Sequence, residues 1–121
     1  MSYASVPHLR GNAASVAKTV APVKTNGAGA GTSPTITVSG SDEAGQVSIV
    51  CGSTPAAGTL VTLTFQTAYN VAPVVVVSAV DSATATVGGF YASATTTAVT
   101  IGTHGTPSGT LKLNYVVVGG A

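Results

Sequence analysis

Tryptophan is absent, cysteine and methionine occur once each, and among 121 residues only four are Lys or Arg and three are Asp or Glu. Each scarcity excludes something. A lone thiol, Cys51, can close no intramolecular disulfide, so no covalent framework supports a small core. Charged residues make up 6% of the chain, against roughly a quarter in an ordinary soluble domain, which is too few to coat a free monomer in the usual way. The longest apolar stretch, residues 71–80, is interrupted by Pro73 and Ser78 and falls far short of the roughly 20 residues of a membrane helix, so no membrane partner is expected. With two His, three acids and one Cys, the inventory for proton transfer, nucleophilic attack or metal ligation is thin. No enzyme activity, cofactor or metal site is expected.

What remains is 45% hydrophobic, mostly Val and Ala, with polar positions given to Thr and Ser and with 15 Gly and 6 Pro as punctuation. That mixture favours pleated strands and turns over helices, and its hydrophobicity argues against disorder of the body. The length suits one domain. Charge is unevenly placed: Arg10, Lys18 and Lys24 give +3 over residues 1–34, whereas Asp42, Glu43, Asp81 and Lys112 give −2 over residues 35–121. A sparse basic leader on a weakly acidic body suits docking on an acidic protein surface. Three cations with no Arg cluster and no aromatic platform make a poor nucleic-acid footprint, and no nucleic-acid partner is expected. The first residues reach Pro7, His8 and Arg10 without the apolar run of a secretory leader, so synthesis in a cytoplasm is expected.

Residues 1–34 read as an extended N-terminal arm and linker, broken by Pro7 and Pro22 and ending in NGAGAGTSP. Its spaced anchors for a partner are Val6, Leu9, Arg10, Val16, Lys18, Val20, Val23 and Lys24. From residue 35 to 121 the pattern changes to seven short strands, predicted over 35–39, 46–51, 59–65, 74–80, 90–94, 98–101 and 110–118. Val47, Ile49 and Cys51 share one face of the second; Val61, Leu63 and Phe65 point inward from the third and Leu60 outward; the valine run of the fourth predicts a central strand covered on both faces. Leu111, Leu113, Tyr115 and Val117 share a face of the last. The fold class expected is all-β, an antiparallel β-sandwich or jelly-roll-like domain carrying an extended N-terminal arm.

The outward strand positions carry Thr, Ser, Ala and Val where a solitary sandwich usually places Lys and Glu, and Lys112 is the one cation in the strand region, so sister subunits or a larger lattice are expected to cover much of the surface. Candidate chemistry does not assemble. Asp42 and Glu43 are adjacent in a turn and point apart on extended backbone. Cys51 falls on an inward face and His104 in a Gly/Pro loop; His8, His104 and Asp81 have no metal-ligand spacing; NGAGAG lacks the Lys and Ser/Thr of a phosphate loop. Tyr69 and Tyr91 are the candidate exposed contact residues for a neighbour or glycan.

Three stretches in order, SDEAGQVSIVCGSTPAAGTLVTLTFQTAYNVAPVVVVSAVDSATA, GGFYASATTTAVTIGT and GTPSGTLKLNYVVVG, cover about two thirds of the chain. In that order the chain resembles a β-domain of tailed-bacteriophage virion proteins, among them capsid decoration (cement), head-fibre and tail-fibre proteins. The final KLNY departs from the aromatic-rich last strand of that pattern, and no long shaft precedes the body. The resemblance implies a virion structural module without catalysis. It also implies a homo-oligomer, trimer favoured over dimer, made in the host cytoplasm and placed on the capsid exterior against the major capsid protein. The short upstream segment turns the expectation toward a decoration protein gripping the shell with its arm, the alternative being a head- or tail-fibre module that binds a host receptor or glycan.

Overall fold

The structure is a computed structural model and describes residues 20–119. Eight strands form two four-stranded antiparallel sheets, with strand orders β1-β4-β7-β6 and β2-β3-β8-β5. The strands are β1 Val23–Asn26, β2 Thr35–Gly40, β3 Ala44–Val50, β4 Gly58–Thr64, β5 Val74–Ala79, β6 Phe90–Ala94, β7 Ala98–Thr103 and β8 Thr110–Val118. The expected antiparallel β-sandwich is therefore what the chain forms. Period-two alternation supplies its core: Ile36, Val47, Ile49, Leu111, Leu113, Tyr115 and Val117 from one sheet meet Val61, Leu63, Val99 and Ile101 from the other in one buried cluster. Burial of each such side chain contributes about 1.5–3 kcal/mol, which carries the fold without a cross-link.

The folded body begins well before residue 35, which corrects the second half of the expected arm. Val23–Asn26 pairs with β4, from Val23 opposite Thr64 to Asn26 opposite Val61, as an edge strand too short and too polar to announce itself by alternation. Behind it, Ala28–Ala30 makes a single 3-10 turn against β4, with Ala30 in the core. The NGAGAG segment is thus packed, not a linker. A β-carbon on Gly27 would lie 2.3 Å from the Thr59 carbonyl oxygen, and one on Gly29 2.8 Å from the same atom, so glycine is what lets this backbone lie against β4.

Two further expectations change. Leu60 is buried beside Val61, because the register between β4 and β7 shifts between Thr59 and Val61; the bulge lets consecutive residues both leave solvent. The valine strand β5 is not central. It is an edge of its sheet, pairing with β8 alone, from Val74 opposite Val118 to Ala79 opposite Leu113. Its inward Val75 and Val77 pack on the core, while Val74 and Val76 face out.

Between β5 and β6 the chain makes one helical turn, α1, Ser82–Ala85. Asp81 caps it, its carboxylate accepting from the Thr84 N–H at 2.8 Å, and buried Thr84 accepts from the Lys112 N–H of β8 at 2.9 Å. The first bond caps the turn and the second ties it to the sheet.

Candidate functional site

Among the described residues no group of three or more His, Cys, Asp or Glu could hold a metal ion. Cys51 is half-buried just after β3, its N–H donating to the Gly109 carbonyl, and burial pushes its thiol above the ordinary value, away from the thiolate that attack would need. His104 is exposed after β7, with its backbone N–H bound to the Gly89 carbonyl. Asp81 is committed to capping α1: the Thr84 backbone N–H holds its carboxyl below the ordinary value. His8 lies outside the described residues.

What the fold does build is two contrasting outer faces and one polar end. On the β1-β4-β7-β6 sheet a row of hydroxyls crosses all four strands through Thr25, Thr62, Thr100 and Ser93. At the β6 side of this face Tyr91, 45% exposed, lays its ring over Gly102, where a β-carbon would sit 2.3 Å from the ring. Glycine opposite an aromatic on a neighbouring strand gives the ring a flat seat and leaves its other side open.

The outer face of the β2-β3-β8-β5 sheet is apolar at one end. Val74 pairs with Val118 and Val76 with Val116, giving a square of valines that are 65, 57, 57 and 47% exposed respectively for Val74, Val118, Val76 and Val116. Ala44, opposite Val116 on β3, extends it. The next row is polar, Ser78 with Asn114 and Gln46, whose amides meet at 3.4 Å, and Lys112 lies beyond.

The end of the sandwich beside those valines is held by Asp42. Its carboxylate accepts from the Gln66 N–H at 2.9 Å and the Thr67 N–H at 3.0 Å, and its carbonyl accepts from the Tyr69 hydroxyl at 3.3 Å. Gln66 in turn donates its Nε2 to the Ala21 carbonyl at 2.8 Å. Tyr69 is therefore not the exposed contact expected of it. It is half-buried, edge-on to Phe65 at 4.8 Å between ring centres, and burial together with Glu43 and Asp42 raises its phenol above the ordinary value. Tyr115 reaches the same end from the core: its hydroxyl donates to the Ser41 carbonyl, and burial, then the Asp42 charge, pushes its phenol up to about 12.

Of the eight expected anchors, Val6, Leu9, Arg10, Val16 and Lys18 lie outside the described residues. Val20, Val23 and Lys24 are all exposed. Val23 and Lys24 belong to β1, so they are surface positions of the body and not of a separate arm. Nothing in the charge or motif pattern singled out the valine square, because a continuous Val run reads the same for a buried centre and for an edge with one bare face. No family model, no curated protein and no solved structure matches the chain.

Proposed function

We propose that this chain is a bacteriophage virion structural protein, a capsid decoration protein that binds the outer shell and stabilises it. The observation that supports this most is the bare surface: the outer sheet faces are mostly Thr, Ser and Val, with the Gln46 and Asn114 amides and Tyr91 among them and Lys112 as the one ionised side chain on a strand of the β2-β3-β8-β5 sheet. Uncharged, β-rich faces of this kind suit lasting contact with protein neighbours. The mechanism is additive clamping. The β-body rests on the shell, the basic leader engages coat subunits alongside, and many weak contacts sum through high effective concentration. Separation of coat subunits then has to break these contacts as well, which slows disassembly without any reaction chemistry.

The test is co-sedimentation with intact shells. The full chain is expected to pellet with them, and a chain lacking residues 1–19, with β1 and its pairing intact, is expected to stay in the supernatant. Undiminished pelleting of the shortened chain contradicts the leader's role. A second reading, a head- or tail-fibre module binding a receptor or glycan, is favoured by the open ring of Tyr91 above Gly102, since flat exposed aromatics suit sugar rings. Saturable glycan binding by the full chain that disappears in Tyr91→Ala would decide for it.

A further inference from the structure

We propose that β5 is the edge through which two copies of this chain associate, each β5 pairing antiparallel with its counterpart so that the β2-β3-β8-β5 sheet runs on across a two-fold axis. The inference rests on the folded body alone and is independent of shell binding. Its first support is an open row of backbone groups. β5 bonds to β8 on one side, and among the described residues nothing pairs with its other side. The Val80 N–H donates to the Lys112 carbonyl, which fixes the alternation along the strand: Val74, Val76 and Ser78 bond to β8, whereas Val75, Val77 and Ala79 turn their N–H and C=O groups to the open edge. β6 repeats the pattern beside it. The His104 N–H donates to the Gly89 carbonyl and the Thr95 N–H to the Ala98 carbonyl, so Phe90, Ala92 and Ala94 turn theirs to the open edge of the other sheet, on the same side of the sandwich.

The second support is that nothing in these strands guards the edge. Sheet edges that stay single usually carry Lys, Pro or a bulge, or are very short. β5 is VVVVSA and β6 is FYASA, with no charge, no Pro and no shift of register. β1, an edge on the opposite side, is four residues long and includes Lys24. β2 is as free of charge as β5, but its outer face is Thr35, Thr37 and Ser39, which water satisfies, whereas β5 shows Val74 and Val76. The third support is self-complementarity. With Val76 opposite Val76 of the second copy, Val75 meets Val77 on both sides of the axis, and both carry open-edge groups, so about four backbone hydrogen bonds form there and the two valine squares join at Val76. One strand pair with its flanking side chains sits at the low end of specific interfaces, below about 1,200 Å² in total, so the pair forms and comes apart with concentration.

Sedimentation equilibrium and amide exchange on the full chain test this together. From roughly 5 to roughly 500 µM the average mass is expected to rise about twofold, to that of two chains and no further. Over the same range the Val75 and Val77 amides, followed by NMR, are expected to exchange at least roughly fivefold more slowly, because edge pairing bonds them; two copies stacked face on face through the valines would leave them exchanging as before. Val76→Lys puts a guarding charge on the exposed face of β5 and is expected to keep the chain monomeric throughout, with Tm within a few degrees. A wild-type chain that stays monomeric overturns the proposal without recourse to any variant, and so does growth to a trimer. A dimer unmoved by Val76→Lys overturns it too, as does one whose Val75 and Val77 amides stay unprotected. Protection of Ile36 and Val38 instead, the open-edge amides of β2, would place the contact on the other edge of the sheet and equally contradict it.

Discussion

Asp42 earns its place by holding backbone: two N–H groups from the segment after β4 end on its carboxylate. Asp42→Ala is expected to lower the unfolding free energy by about 1–2 kcal/mol, measured by urea titration, with Asp42→Asn intermediate. Tyr115 sets an alkaline limit. Its phenol stays un-ionised in the fold up to about 12, whereas the unfolded chain releases that proton near 10. The fold therefore holds more protons than the unfolded state between those values, and the stability this gives is complete below 10 and lost as the pH climbs toward 12. Tyr115→Phe is expected to flatten the fall in Tm over that window; an unchanged slope would show that another group governs it. At this scale the sequence was a fair guide to the core, since Leu111, Leu113, Tyr115 and Val117 alternate inward as read. It misled at Leu60, where a bulge breaks period two, and at Tyr69, whose hydroxyl donates to the Asp42 carbonyl in the distant β2–β3 turn.

β1 and the turn behind it make the clearest case among the elements. Four exposed residues and a glycine-rich stretch give no periodic signal, yet Gly27 and Gly29 fit against the β4 backbone as no other residue can. Removing residues 1–34 is therefore expected to lower Tm by roughly 10 °C or more, whereas removing residues 1–19 leaves it within a few degrees. Gly27→Ala should reproduce much of the larger loss, measured by thermal melting. The seven strands read from sequence fall within a few residues of where they form, because alternating Val, Leu and Ile between turn residues is a strong local signal. Sheet order is not local. Whether β5 is a centre or an edge depends on what lies beside it, and nothing within its six residues encodes that.

At the scale of the whole molecule, a sandwich with so few ionised side chains and a bare valine square is a body suited to company. The proposed retention on the shell through residues 1–19 predicts that salt weakens it, since Arg10 and Lys18 carry that segment's side-chain charge. The proposed virion role is tested most directly by the copy number of this chain in purified virus particles, counted by quantitative mass spectrometry against the major capsid protein. The account predicts hundreds of copies per particle. A handful would assign the chain to a fibre, and none would contradict a virion role outright.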